Sequence, residues 1–203
     1  MISKRRFTNT ILLLLILSVL TSCVRSNTGK TVIVAGSTSV QPYAEILSER
    51  YKAILPDVHV EIQGGGSSAG ITAAMSSAAD IGMSSRALKE SEDGLWYIEI
   101  AKDGLAMVVH PDNPISNLKL KEIEMIYSGI ITNWSDVGGN DANIHIITRE
   151  EGSGTRSAFE ELVMDGVDIN PKAIVQDSNG AVRQLVSSDK NAIGYISLGL
   201  VDE

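Results

Sequence analysis

The sequence predicts an α/β fold, and three observations carry that expectation. Apolar runs of strand length alternate along the chain with stretches of helical spacing. Four times a strand end passes into a helix, or a basic residue, through a turn built from glycine and hydroxyl side chains, at 36–42, 64–70, 82–86 and 152–156. No internal repeat of fixed period is present, which excludes a solenoid. Several such turns at the carboxyl ends of strands in an open sheet form the usual ligand crevice of α/β folds.

The first 22 of the 203 residues read as a targeting segment, with Lys4-Arg5-Arg6 as a positive start, an apolar core at Ile11–Leu17, and Leu20-Thr21-Ser22 before Cys23. That core is short for a membrane span. Cys23 is the single cysteine, so an internal disulfide is excluded, and its placement resembles the bacterial lipobox, whose cysteine becomes a lipidated first residue. An exported, lipid-tethered chain is therefore expected. Removing the leader takes the formal net charge from −8 to −11, a poor surface for nucleic acid. An anionic ligand would have to be held by local dipoles and a few buried arginines. Aromatic residues make up 4% of the chain, too few to suggest stacking platforms for sugars or bases.

After a polar tether, Thr31–Ala35 reads as a buried strand that enters Gly36-Ser37-Thr38-Ser39-Val40-Gln41-Pro42 and a helix from Tyr43 to Ala53. Pro42 suits the first turn of that helix, where a missing amide hydrogen is harmless. Val58–Ile62 alternates as a strand does and leads through Gly64-Gly65-Gly66-Ser67-Ser68-Ala69-Gly70 into Ile71–Met75. Asp80-Ile81-Gly82-Met83-Ser84-Ser85-Arg86 repeats the pattern in shorter form. Leu95–Ala101 and Gly104–His110 read as strands or extended segments, and Pro111 to Pro114 stops the second. Leu118–Tyr127 has helical spacing, and Trp134 is expected to be a packed core anchor. Ala173–Val175 and Asn191–Ile196 read as strands on either side of a helix from Asn179 to Val186.

The richest turn is Arg149-Glu150-Glu151-Gly152-Ser153-Gly154-Thr155-Arg156, between a strand at Ile144–Thr148 and a helical stretch from Ser157. Its glycines allow close backbone approach, and the first amides of a helix lack internal partners. Ser153 and Thr155 add hydroxyl donors, and Arg149 and Arg156 can reach a tetrahedral oxyanion with forked, charge-assisted bonds. An ordinary capped helix would use many of the same residues.

Chemistry of other kinds has little support. His59, His110 and His145 sit in or beside strands without a partner at metal-ligand spacing, and they are read as structural. The sequence holds no nucleophile elbow, paired acid and base, or Walker loop, so neither an enzyme nor a cofactor is expected.

Taken together, the four turns, Asp103-Gly104-Leu105-Ala106 through Pro114, and Tyr127-Ser128-Gly129 through Trp134 resemble the phosphate-binding lipoproteins of bacterial and archaeal ABC importers, in order and spacing, over essentially all of the chain after the leader. The resemblance implies a two-lobed periplasmic-binding-protein fold of type II that closes around one phosphate ion and delivers it to a membrane permease. It places the ligand shell on Thr38, Ser39, Ser67 and Ser85 of the first lobe and on Arg149, Ser153, Gly154 and Thr155 of the second. Ser37, Ser68, Arg86 and Arg156 are neighbours with weaker claims. The implied protein is a monomeric binding protein, extracytoplasmic and held to the membrane by lipid on Cys23.

Two departures accompany the resemblance. Well-known members place an aspartate where this chain has Ser85, so other tetrahedral oxyanions such as sulfate, molybdate or tungstate remain rival ligands, and sensing remains a rival to transport. Family members also continue past the segment resembling Gly194–Gly199, whereas this chain stops at Glu203, so the last carboxyl-terminal elements are expected to be lacking. The expected organisation is a leader over 1–22, a tether over 23–30, a first lobe over 31–109, a second over 110–195, and the start of a return to the first lobe over 196–203.

Overall fold

The computed structural model describes residues 30–201. The leader, Cys23 and the tether up to residue 29 therefore lie outside the described residues. Strand β1 (Lys30–Gly36), helix α1 (Gln41–Ile54), strand β2 (Val58–Gly64), helix α2 (Ser67–Met75) and strand β3 (Ile81–Met83) come first. Strand β4 (Leu105–Val109), helix α3 (Leu120–Tyr127), strand β5 (His145–Arg149) and helix α4 (Gly154–Phe159) follow. Strand β6 (Ile174–Gln176), helix α5 (Asn179–Ser188) and strand β7 (Ala192–Ser197) close the order. The expected α/β class holds, with a three-stranded sheet ordered β2-β1-β3 and a four-stranded sheet ordered β4-β7-β5-β6.

The first sheet is built around close backbone contact. Strands β1 and β3 pair in parallel with Ala35 opposite Gly82 and Gly36 opposite Met83. Helix α2 lies on this pair through Gly70, where a Cβ would stand 2.4 Å from the Ala35 carbonyl oxygen and 2.5 Å from the Gly36 Cα. Only glycine permits that approach, and it draws the start of α2 toward the ends of β1 and β3. Gly36 itself has φ +138, a backbone region that side chains disfavour, and its carbonyl accepts the Gly65 and Gly66 amides at 2.9 and 3.1 Å.

The second sheet is organised around β7, every residue of which is buried. It pairs antiparallel with β4 and parallel with β5, while β5 pairs parallel with β6. Burial on both faces explains why Ala192–Ser197 reads as a continuous run rather than an alternation. Because β4 is hydrogen-bonded to β7, sheet membership places Leu105–Val109 with the second group of strands, before the boundary expected at 110. Tyr127, Phe159 and Tyr195 form an aromatic cluster in this core, with Phe159 and Tyr195 stacked at 4.1 Å between centroids and 4° between planes. Trp134 is the core anchor expected of it, 2% exposed and donating from its indole to the Asn191 carbonyl at 3.0 Å.

Local differences from the sequence reading have physical reasons. The helix after the Arg149–Arg156 turn begins at Gly154, because Ser153 caps it by accepting the Arg156 amide at 3.2 Å, and it widens into a π turn over Glu160–Met164. Leu95–Ala101 forms no strand and joins no sheet. Its Trp96, Tyr97 and Ile98 are 84%, 71% and 62% exposed. After β7, a single turn at Leu198–Leu200 reaches α1, where the Tyr43 hydroxyl donates to the Gly199 carbonyl at 2.9 Å.

Candidate functional site

The donor-rich turns converge where the two sheets meet. From the first sheet come Ser37, Thr38 and Ser39 after β1, Ser67 at the start of α2, and Ser85 after β3. Ser37, Ser39 and Ser67 are buried. Ser37, Ser67 and Ser85 form a hydroxyl cluster: Ser37 donates to Ser85 at 2.9 Å, the Ser67 and Ser85 hydroxyls lie 3.3 Å apart, and the Ser85 amide donates to the Ser67 hydroxyl at 3.0 Å. The glycine contact between α2 and β1 is what makes this cluster possible.

From the second sheet come Arg149 at the end of β5 and Ser153, Gly154 and Thr155 at the start of α4. The jaws touch. The Ser39 and Thr155 hydroxyls are 2.9 Å apart, Arg149 Nη2 donates to Thr38 Oγ1 at 3.3 Å, and the Ser68 amide donates to the Gly152 carbonyl at 3.0 Å. Gly154 is needed at this contact, since a Cβ there would lie 2.5 Å from both the Ser67 and the Ser85 hydroxyls.

Arg149 is the centre of charge. Although arginine is rarely fully buried, its residue is 1% exposed. Glu150 accepts from Nε at 2.9 Å and from Nη2 at 3.0 Å, and the Asp177 carbonyl accepts from Nη2 at 3.2 Å. Nη1 is buried and has no hydrogen-bond partner among the described residues. An unsatisfied buried donor costs on the order of 1–3 kcal/mol, and a charged one more, so it marks a place built for an acceptor.

The frame holding Arg149 is stiff. Its amide donates to the Tyr195 hydroxyl at 3.2 Å, and that hydroxyl is 2.7 Å from Thr148 Oγ1. Tyr127 donates to the Ile147 and Ile193 carbonyls at 3.1 and 3.3 Å, tying β5 to β7 below the site. Burial raises the pKa of both phenols, so they remain neutral hydrogen-bonding groups.

Of the weaker candidates, Ser37 joins the hydroxyl cluster, while the two arginines are paired with glutamates. Arg86 is paired with Glu92 at 2.7 Å and donates to the Ser68 hydroxyl at 3.1 Å. The hydrogen bond from Arg86 lowers the Glu92 carboxyl to about 2. Arg156 donates to Glu160 at 2.7 Å and to the Arg149 carbonyl at 3.0 Å, so it braces the turn.

One residue at the contact carries no mark in the sequence reading. Asn179, the first residue of α5, is 1% exposed and donates to Ser39 Oγ at 3.0 Å and Thr38 Oγ1 at 3.3 Å. It accepts the Ser197 amide at 3.2 Å, which links the first jaw to the centre of the second sheet. The signal was the turn Asp177-Ser178-Asn179-Gly180, a fifth passage from strand to helix. Among the histidines, His145 Nδ1 lies 2.6 Å from Asp189, at the opposite end of β5 from Arg149.

A family model for the PBP superfamily domain matches residues 24–202. The chain belongs to the PBP superfamily. Within it, the chain is of the PstS type. It is 33% identical to the phosphate-binding protein PstS of Borreliella burgdorferi over 191 residues, 90% of this chain and 68% of that protein. It is 29% identical to the phosphate-binding protein PstS of Bacillus subtilis over 174 residues, 84% of this chain and 58% of that protein. The chain thus spans less than two thirds of the length of the Bacillus relative. Among solved structures, it is similar to one from Clostridium perfringens, assigned as a phosphate ABC transporter substrate-binding protein and holding bound phosphate. The TM-score is 0.82 and the identity 47%, covering 85% of this chain and 72% of that one.

Proposed function

We propose that the protein is a non-catalytic solute-binding protein that captures inorganic phosphate between its two jaws and delivers it to the permease of an ABC importer. The single observation that carries this reading is the buried Arg149 guanidinium, whose Nη1 has no partner among the described residues and whose Nη2 donates to Thr38 at 3.3 Å, at a contact that also brings the Ser39 and Thr155 hydroxyls within 2.9 Å of each other. A tetrahedral oxyanion supplies acceptors for both kinds of donor, and charge-assisted bonds in a buried cleft are the strong ones. Gly154 contributes an approach free of side chain. Similarity to phosphate-binding proteins of importers supports phosphate as the ion and transport as the role.

In this reading the two lobes meet at the hydroxyl contact between Ser39 and Thr155, and ligand exchange requires that contact to open. The protein works outside the cytoplasm, tethered through lipid on Cys23. Calorimetric titration of the full-length chain with phosphate tests the binding. Saturable uptake of one ion per chain is expected, and no heat of binding at any phosphate concentration would refute it. For the anchor, metabolic labelling with palmitate is expected to mark the wild type and to fail in Cys23→Ser; equal labelling would exclude that cysteine.

A further inference from the structure

We infer that Asp103, at the crossing between the two groups of strands, is a positioning residue for closure: acting through Ser197, it aims the Asn179 amide that ties the second jaw to the first. The inference rests on the phosphate-binding reading above and concerns how the closed state is held.

The chain passes between the two groups of strands twice, and the two passages lie side by side. The ladder between β4 and β7 pairs Leu105 with Ser197, and it runs one step further where the Leu198 amide donates to the Gly104 carbonyl at 2.8 Å. One residue on, the Gly199 carbonyl accepts the Tyr43 hydroxyl of α1 at 2.9 Å. Rotation of one jaw against the other is therefore absorbed at a few residues beside this pair, as at other hinges.

Asp103 fastens that pivot. One of its oxygens accepts the Gly104 amide at 2.8 Å, and the other accepts the Ser197 hydroxyl at 2.6 Å. A carboxylate acceptor at such a distance makes the short, charge-assisted kind of hydrogen bond. Ser197 is 1% exposed, whereas Asp103 lies on the surface ahead of β4, where packing makes no demand for a carboxylate.

From Ser197 the bonds run in one direction. Its amide donates to Asn179 Oδ1 at 3.2 Å, which fixes the oxygen end of that side chain and turns the NH2 toward the first jaw. The NH2 donates to Ser39 Oγ at 3.0 Å and to Thr38 Oγ1 at 3.3 Å. Thr38 Oγ1 also accepts from Arg149 Nη2 at 3.3 Å, so both of its lone pairs are engaged and its own hydrogen is left to donate. An Asn179 amide turned end for end would present an acceptor instead and draw those hydroxyl hydrogens to itself. Asp103, holding Ser197 in place, keeps the donors of the closed contact aimed across it.

A double-mutant cycle on the full-length chain, read by phosphate titration of Asp103→Ala, Asn179→Ala and the pair, tests this. Asp103→Ala is expected to weaken phosphate by about 10-fold, the order of a hydrogen bond to a charged group, chiefly through faster dissociation. The double variant is expected to bind no more weakly than Asn179→Ala alone, because both losses lie on one path. Asp103→Asn, which keeps an oxygen acceptor without the charge, is expected to fall between wild type and Asp103→Ala. Losses that add in full, or unchanged affinity in a folded Asp103→Ala, overturn the inference and leave the proposed function intact. In the phosphate-free chain, the Asn179 side-chain amide resonances are expected to shift in Asp103→Ala, and unmoved resonances overturn the inference as well. Absence of phosphate binding by the wild type refutes the proposed function, while the same resonances still decide whether Asp103 positions Asn179.

Discussion

The two jaws present the same kind of turn on different foundations. Arg149 stands on a sheet whose central strand is buried throughout and whose aromatic cluster stacks Phe159 on Tyr195. Among the described residues the first jaw has no such cluster. Helix α1 buries none of its residues, and its Ile46 and Leu47 are 52% and 58% exposed. Order there comes from backbone contact, with Gly70 of α2 pressed onto Ala35 and Gly36. The charged group thus sits, with Ser153 and Thr155, on the frame with the aromatic core, and the hydroxyls of Ser37, Thr38, Ser39, Ser67 and Ser85 sit on one held by glycine. That division suits a clamp, in which one side fixes the ion and the other closes over it.

The largest effect expected from this contrast is on stability. Phe159→Ala should cost about 3–5 kcal/mol, as for other buried rings, whereas Leu47→Ala on the open helix should stay within about 0.5 kcal/mol. Chemical denaturation measures both, and equal losses would show the two frames to be alike. Gly70→Ala comes next. Overpacking at a well-packed contact costs about 1–3 kcal/mol, and here it must also push Ser67 away from Ser37 and Ser85. Phosphate affinity should fall with stability in this variant; a folded, fully binding Gly70→Ala would show that glycine contact does not set the first jaw.

The smallest expected effect is an acid one, confined to the first jaw. The Arg86 hydrogen bond depresses the Glu92 carboxyl to about 2. Its stabilising contribution is present above the ordinary carboxylate range and is lost as pH falls through that range toward about 2. Titration followed by NMR should give a Glu92 midpoint near this value, and Glu92→Gln should abolish the acid step. A Glu92 midpoint in the ordinary range would mean that the clamp on Ser68 does not form in solution.

Much of this architecture was legible because period and composition agree locally. Gly36, Gly64 to Gly66 and Gly152 to Gly154 punctuate the strand ends, and hydroxyls follow them. The limits are also physical. Glu150 as the partner of Arg149 was not legible, because it lies past the end of β5, where strand alternation no longer fixes side-chain direction. Asn179 was missed because its turn holds a single hydroxyl, Ser178, whose cap of the Ala181 amide accounts for the local pattern without a ligand. Its role depends on Thr38 and Ser39, distant in sequence. The resemblance gave Arg86 and Arg156 weaker claims than Arg149, and all three are paired with a glutamate; what sets Arg149 apart is tertiary, its 1% exposure and an Nη1 without a partner among the described residues.

The central claim is that one buried guanidinium, supported by hydroxyls from both jaws, holds the anion. Phosphate affinity of Arg149→Ala and Arg149→Lys, each shown to fold by its melting transition, tests it most directly. Removing one partner of a buried charged hydrogen bond costs about 2–5 kcal/mol, so Arg149→Ala should bind at least about 30-fold more weakly. Arg149→Lys should fall between, since it keeps the charge and loses the planar fork. Wild-type affinity in a folded Arg149→Ala would contradict the account.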